Sequence, residues 1–225
     1  MQKFAVIVAG GSGVRMGMST PKQFLLLHDK PILMRTIEAF ISYDQQIQII
    51  LVLPSKEKTR WQQLCENFHF SITHQVVKGG ENRSASVRNG LSAIDAEEGL
   101  VAIHDGVRPL VSPQIIATAY QVAEEKGNAV ASVPLKDSIR WSKDTDNRAV
   151  DRSEYCLIQT PQTFKLLLIK EAYRMLRDKN MTDDASVLEA RGVKINLIEG
   201  DYRNIKITTR EDLRVAEALW EPLPL

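Results

Sequence analysis

Phe4-Ala5-Val6-Ile7-Val8-Ala9-Gly10-Gly11-Ser12-Gly13-Val14-Arg15-Met16-Gly17 is an apolar run of strand length that breaks directly into glycine. The run has no polar alternation, so it reads as a strand buried on both faces, the environment of a parallel sheet. Glycines after such a strand let backbone amides approach a ligand, because no Cβ intervenes, and amides turned into one concavity bind phosphate oxygens. The position is also right, since α/β sheets bind ligands beyond the carboxyl ends of their strands. Counting excludes the familiar glycine motifs. A dinucleotide fingerprint needs a third glycine at position 16, where Met16 stands. A Walker loop needs Gly-Lys at a spacing that neither Gly10 nor Gly11 supplies. What remains is a glycine loop followed by two cations, Arg15 and Lys22 of Pro21-Lys22. That combination suits a triphosphate; a tight strand–helix turn with surface basic residues is the plainer reading.

Outward from this stretch, strand-like and helix-like segments alternate. Residues 47–53, 72–77, 100–103 and 129–133 read as strands. Residues 31–42, 56–68, 82–94 and 113–126 read as helices, with Ser55 and Ser112 as caps, Pro31 and Pro113 in first turns and Gly127 as a stop. This alternation predicts parallel βαβ units and an α/β sheet covered by helices on both faces. Residues 136–155 break the pattern. They are densely charged and carry Trp141 and the turn-like Asp144-Thr145-Asp146-Asn147. They fit either a hairpin leaving the main body or a solvated loop. Beyond them, helices are expected over 166–177, 183–191 and 210–219 and strands over 194–198 and 204–208. Nothing resembles a linker, so residues 1–225 are expected to form one domain.

Composition narrows the function. With 29 basic and 28 acidic residues the net charge is +1, which argues against binding nucleic acid or anionic membrane by bulk charge. No apolar run nears the ~20 residues that span a bilayer, and no signal peptide is read at the N-terminus. Cys65 and Cys156 form no spacing motif and fit reduced thiols in a cytoplasmic protein. Four scattered histidines make no zinc site.

Two further segments follow predicted strands. His104-Asp105-Gly106-Val107-Arg108-Pro109 offers a carboxylate for a divalent cation or a sugar hydroxyl, and an arginine fork for a phosphate. Gly79-Gly80-Glu81-Asn82-Arg83-Ser84-Ala85-Ser86 opens a helix whose free amides favour anions, with Arg83 and Ser86 one turn apart. Taken singly, each fits an ion-paired turn or a capped helix. Three polar, mostly cationic strand ends in one chain favour a shared anion site.

These segments, with Pro21-Lys22-Gln23, Thr160-Pro161-Gln162, Thr182-Asp183-Asp184-Ala185-Ser186 and Asn204-Ile205-Lys206, occur in an order that resembles the 2-C-methyl-D-erythritol 4-phosphate cytidylyltransferases over nearly the whole chain. The resemblance implies a Rossmann-like domain whose projecting β-arm, here about 136–155, interlocks with a second copy in a homodimer. It implies transfer of CMP from CTP to methylerythritol phosphate with release of pyrophosphate, in non-mevalonate isoprenoid synthesis, with Mg²⁺ held mainly by the triphosphate. By motif, Ala9, Gly10, Gly11, Gly80, Arg83, Ser86, Asp105 and Gly106 would meet the nucleotide. Arg15 and Lys22 would hold the triphosphate. Asp105, Arg108, Ser138, Arg152, Thr160, Thr182 and Lys206 would form the sugar phosphate site, Arg152 reaching over from the neighbouring arm and acting, with Arg15, Lys22 and Lys206, in catalysis. The chain departs from the family at Ser138, where threonine is frequent, and at Glu81, where aspartate is commoner. Another polyol phosphate acceptor, such as ribitol 5-phosphate, and a non-catalytic nucleotide-binding module remain alternatives.

Overall fold

The structure is a computed structural model and describes residues 1–10, 20–176 and 181–220. In chain order the elements are β1 (Lys3–Val8), β2 (Leu26–Leu27), β3 (Lys30–Pro31), α1 (Ile32–Tyr43), β4 (Gln48–Leu53), α2 (Lys58–Asn67), β5 (Gln75–Lys78), α3 (Arg83–Ser92) and β6 (Leu100–Asp105). There follow α4 (Pro113–Lys126), β7 (Asn128–Pro134), β8 (Arg140–Lys143), β9 (Asp146–Ala149), β10 (Cys156–Lys165), α5 (Leu166–Met175), α6 (Asp184–Glu189), β11 (Leu197–Glu199) and α7 (Arg210–Leu219).

Seven strands form one sheet in the order β11-β7-β10-β6-β1-β4-β5. Successive side chains of a strand point to opposite faces, and both faces of β1 are apolar. Ala5 and Ile7 join one buried layer with Leu33, Ile37 and Phe40 of α1 and Ile116 and Ala119 of α4. Phe4 and Val6 join another with Val87 and Leu91 of α3, Ile169 and Tyr173 of α5 and Leu188 of α6. Double burial is why β1 and β6 read as unbroken apolar runs. α3 packs close enough that a Cβ on Gly90 would come within 2.6 Å of Val6 Cγ1, so this contact requires glycine.

The chain runs outward through β1, β4 and β5, then returns to place β6 on the other side of β1. The sheet therefore reverses its winding between β1 and β6. In an open α/β sheet that reversal opens a crevice at the carboxyl ends of the strands. Val8 and Asp105 are paired there, at the last step of the β1–β6 ladder.

Helix ends follow the sequence signals. Ser112 accepts a hydrogen bond from the Ile115 amide, and Gly127, at φ 90°, closes α4. Asn82 caps α3 through the Ala85 amide. Ser55 behaves otherwise: it opens a short 3₁₀ turn, and α2 begins after Glu57 with no side-chain cap.

The largest departure from expectation is β10, which the sequence pattern does not announce. It lies antiparallel between β6 and β7, while the other pairings of the sheet are parallel. Pro161 argues against a central strand, because it cannot donate to a ladder. Residues 159–161 fall in an irregularity: Ile158 pairs with Ser132 and Gln162 with Val130, so four steps along β10 answer two along β7. Proline is tolerated at such a break. The strand expected over 204–208 is absent. Ile207 donates one backbone bond to Val107, and the segment otherwise runs as a loop. The strand expected over 72–77 shortens to Gln75–Lys78. β8 and β9 pair only with each other, and all eight of their residues are exposed, so 136–155 contains a hairpin. No helix among the described residues is long and apolar enough to cross a membrane.

Candidate active site

Two clefts open side by side at the carboxyl edge of the sheet. The smaller, about 260 Å³, lies between the end of β1 (Val8, Ala9, Gly10), the Lys22–Gln23 turn and the loop entering α3 (Gly80, Asn82, Arg83). The larger, about 680 Å³, is walled by the β10 irregularity, the start of α6 and the segment before β11. Arg83, Asp105 and Lys206 line both. They form a common wall.

Each wall of the smaller cleft is built by local chemistry. The Ser86 hydroxyl donates to the Asn82 carbonyl (2.9 Å) and accepts from the Gly80 amide (3.0 Å), which folds the turn onto α3. A Cβ on Gly80 would sit 2.4 Å from that of Ala85, so only glycine fits. Lys22 is buried in a short 3₁₀ turn after Pro21. Its neighbour Gln23 donates from Nε2 to the Ala9 carbonyl (3.0 Å), tying this turn to the end of β1. Gln23 Oε1 is buried without a partner.

The common wall is a charge cluster. Asp105 ends β6 and is 6% exposed. Lys206 Nζ lies 3.0 Å from its Oδ2, Arg108 Nε 3.4 Å from the same oxygen and Arg83 Nε 3.6 Å from Oδ1. Burial alone would raise the Asp105 pKa; the charges of Arg83, Lys206 and Arg108 outweigh it and hold the carboxyl well below the usual range. Arg108 also donates to the Asn204 carbonyl (2.6 Å), which fixes the loop that presents Lys206. Asn204 is itself held through Nδ2 by the Thr160 carbonyl and Gln159 Oε1. The Thr160 hydroxyl accepts from the Asp105 amide (3.1 Å). Gln162 joins β10 to α6, accepting from the amides of Asp184 and Ala185 and donating to Asp183.

The structure brings together most of the residues singled out in the sequence. Ala9, Gly10, Lys22, Gly80, Arg83, Ser86, Asp105 and Lys206 line the smaller cleft; Arg108, Thr160 and Thr182 join Arg83, Asp105 and Lys206 in the larger. Gly106 stands behind the cleft, where its amide donates to the Val8 carbonyl and its carbonyl accepts from Thr36. Ser138 and Arg152 line neither cleft. Both are exposed at the root of the hairpin, where Arg152 donates to the Lys136 carbonyl. Gly11 and Arg15 lie outside the described residues. Sequence reasoning gave no role to Gln23, Gln159, Gln162, Tyr173, Asp184 or Asn204. Some of these stand inside the quoted motifs, but an amide or carboxylate in a short motif does not reveal that it is buried.

A largely parallel α/β sheet with two clefts at its winding reversal, each lined by several arginine and lysine side chains, suits the binding of anionic ligands. Residues 3–221 match the family described as IspD, 2-C-methyl-D-erythritol 4-phosphate cytidylyltransferase. A 2-C-methyl-D-erythritol 4-phosphate cytidylyltransferase of Bacteroides thetaiotaomicron is 48% identical over 219 residues, covering 97% of this chain and 100% of that protein. One from Caldanaerobacter subterraneus subsp. tengcongensis is 43% identical, over 96% of this chain and 98% of that protein. Among solved structures, the 2-C-methyl-D-erythritol 4-phosphate cytidylyltransferase of Thermus thermophilus superposes with a TM-score of 0.80 at 30% identity, over 97% of this chain and 98% of that one. The class is nucleotidyltransferase. Within it, the chain belongs to the 2-C-methyl-D-erythritol 4-phosphate cytidylyltransferase family.

Proposed function

We propose that the chain performs the reaction for which its family is named. CMP passes from CTP to 2-C-methyl-D-erythritol 4-phosphate, giving 4-diphosphocytidyl-2-C-methyl-D-erythritol and pyrophosphate. The smaller cleft takes the nucleotide and the larger the sugar phosphate. The observation that supports this division is the wall of Arg83, Asp105 and Lys206, one charge cluster that lines both clefts.

The chemistry follows from charge. An oxygen of the acceptor phosphate attacks the α-phosphorus, the bond to the bridging oxygen breaks, and pyrophosphate leaves with the electron pair. The acceptor is already anionic near neutral pH and needs no general base. The obstacle is repulsion, about 4 kcal/mol per pair of unit charges 4 Å apart at an effective dielectric of 20. Catalysis is then charge neutralisation and in-line positioning. Lys22 and Arg15 hold the triphosphate. Lys206 and Arg108 meet the acceptor phosphate, with Thr160 and Thr182 along the sugar.

Magnesium would be held mainly by the nucleotide. Mg²⁺ typically takes one or two carboxylates together with substrate phosphate oxygens and water, and Asp105 is the carboxylate on the wall common to both clefts. Asp105 is already paired with Arg83, Arg108 and Lys206, so the triphosphate oxygens would mainly hold the ion, which when bound would further offset the charge of the nucleotide.

Ser138 and Arg152 complete the site from a second copy. A two-stranded hairpin is marginal on its own, and the one here is exposed throughout, with Trp141, Tyr155 and Leu157 unburied around it. We read residues 1–225 as one domain with this hairpin inserted as a dimerisation arm, acting in the cytoplasm on soluble anionic substrates. The test is a panel crossing four nucleoside triphosphates with several sugar phosphates, ribitol 5-phosphate included, read by pyrophosphate release. Release confined to CTP with methylerythritol phosphate supports the reading. No release with that pair, or faster release with ribitol 5-phosphate, overturns it.

A further inference from the structure

Asp184 is completely buried, at the start of α6 behind the cleft wall. A buried carboxylate is costly unless its oxygens are satisfied. Here Arg83 spans it with both fork nitrogens, Nη1 to Oδ1 at 3.0 Å and Nη2 to Oδ2 at 2.7 Å. The hydroxyl of Tyr173, from α5, donates to Oδ1 at 2.5 Å. Burial and the adjacent Asp184 charge push the Tyr173 pKa far up, so the phenol stays a donor. With its fork engaged, Arg83 turns its Nε edge toward Asp105.

We propose that Tyr173 and Asp184 are positioning residues for the wall between the two substrates, acting through Arg83. The inference rests on the two-cleft reading given above. Its physical content is a competition. Asp105 is shared by Arg83, Arg108 and Lys206. While Asp184 holds the fork, Arg83 stays at the 3.6 Å margin of Asp105, and Lys206 keeps the closer place at 3.0 Å. If the hold on Asp184 weakens, the fork swings to Asp105 and displaces Lys206. Because Arg83, Asp105 and Lys206 line both clefts, both substrates feel the change.

Asp184→Asn strands the Arg83 charge and is the harsher change. Tyr173→Phe keeps the ring packing and removes only the donor, so the test rests on it. A hydrogen bond to a charged group corresponds to roughly a tenfold effect. The folded Tyr173→Phe enzyme should therefore lose about tenfold in kcat/KM for CTP and for the sugar phosphate alike. A merely structural tyrosine would lower Tm and leave both constants intact, and that outcome overturns the proposal. The second arm is a cycle with Arg83→Lys. If Tyr173 acts through Arg83, adding Tyr173→Phe to Arg83→Lys costs less than about twofold more; full additivity overturns the proposal. Calorimetric titration with CTP alone on the same four proteins reads the same coupling without turnover. A wild-type enzyme inactive on the named substrates would thus refute the functional reading, while the coupling in CTP affinity still decides this inference.

Discussion

Lys206 Nζ lies 3.0 Å from Asp105 Oδ2, and the two sides of this ion pair live in different environments: the Asp105 side chain is 9% exposed and that of Lys206 41%. The lysine can turn to an incoming anion while Arg83 and Arg108 keep the carboxylate paired. The two halves should respond differently to mutation. Lys206→Ala should cost stability less than about 1 kcal/mol, as for an exposed pair, yet lower kcat/KM for the sugar phosphate about a hundredfold. Asp105→Asn leaves the largely buried Arg108 without its carboxylate, while Arg83 keeps Asp184, and should destabilise by about 3 kcal/mol. Chemical denaturation and steady-state kinetics on both variants check this. Comparable stability losses would show that the pair is not asymmetric.

Lys22 is buried in the turn that Gln23 ties to the end of β1, and it lines the smaller cleft. Loss of a charge stabiliser typically costs two to three orders of magnitude. Lys22→Ala should lower kcat about 10²–10³-fold. Near wild-type turnover would remove Lys22 from the chemistry.

Arg152 lines neither cleft of its own chain. If it serves a neighbouring site, Arg152→Ala should raise KM for the sugar phosphate more than for CTP. Mixing Lys22→Ala and Arg152→Ala subunits should then restore partial activity, because one of the two sites in a mixed dimer is intact. Mixed dimers that form and stay inactive would contradict a shared site.

His104 is fully buried, packs edge-on against Phe40 and donates from Nε2 to the Arg108 carbonyl, leaving Nδ1 unpartnered. Burial, helped by the charges of Arg108 and Arg83, pushes its pKa down from 6.5 to about 4. The unfolded chain takes the proton more readily than the folded one. The stabilisation is therefore complete above the ordinary value of 6.5 and is lost as pH falls from there toward 4. Asp105, held below the usual 3.8, adds its own loss only beneath that window. Stability measured by denaturant should drop by about 2–3 kcal/mol between neutral pH and about pH 4.5. His104→Gln should flatten this slope. An unchanged slope would place the titration elsewhere.

The parts of the molecule legible in the sequence are those where one local signal suffices. β1 shows as an unbroken apolar run, and α4 shows from Ser112-Pro113 at its start and Gly127 at its end. The glycine and arginine clusters at strand ends identify the cleft margins because free amides and fixed cations do the same work in any α/β sheet. β10 stayed hidden because Pro161 and its polar neighbours argue against a central strand, and only the irregularity in pairing makes room for them. Lys206 was expected on a strand; it reaches Asp105 from a loop held by Asn204. Tyr173 sits on the apolar stripe of α5 with Leu166 and Ile169, so its pattern reads as core, and nothing local tells that its hydroxyl meets Asp184. Long-range hydrogen bonds of this kind are a property of the assembled fold.

The most direct test of two clefts with one charged wall is a crystal structure with a non-hydrolysable CTP analogue and the sugar phosphate bound together. The nucleotide should lie between Ala9, Lys22 and Gly80, the acceptor phosphate near Arg108 and Lys206, with Asp105 between them. A nucleotide bound away from the end of β1, or both ligands seated on one side of Arg83 and Asp105, would contradict the account.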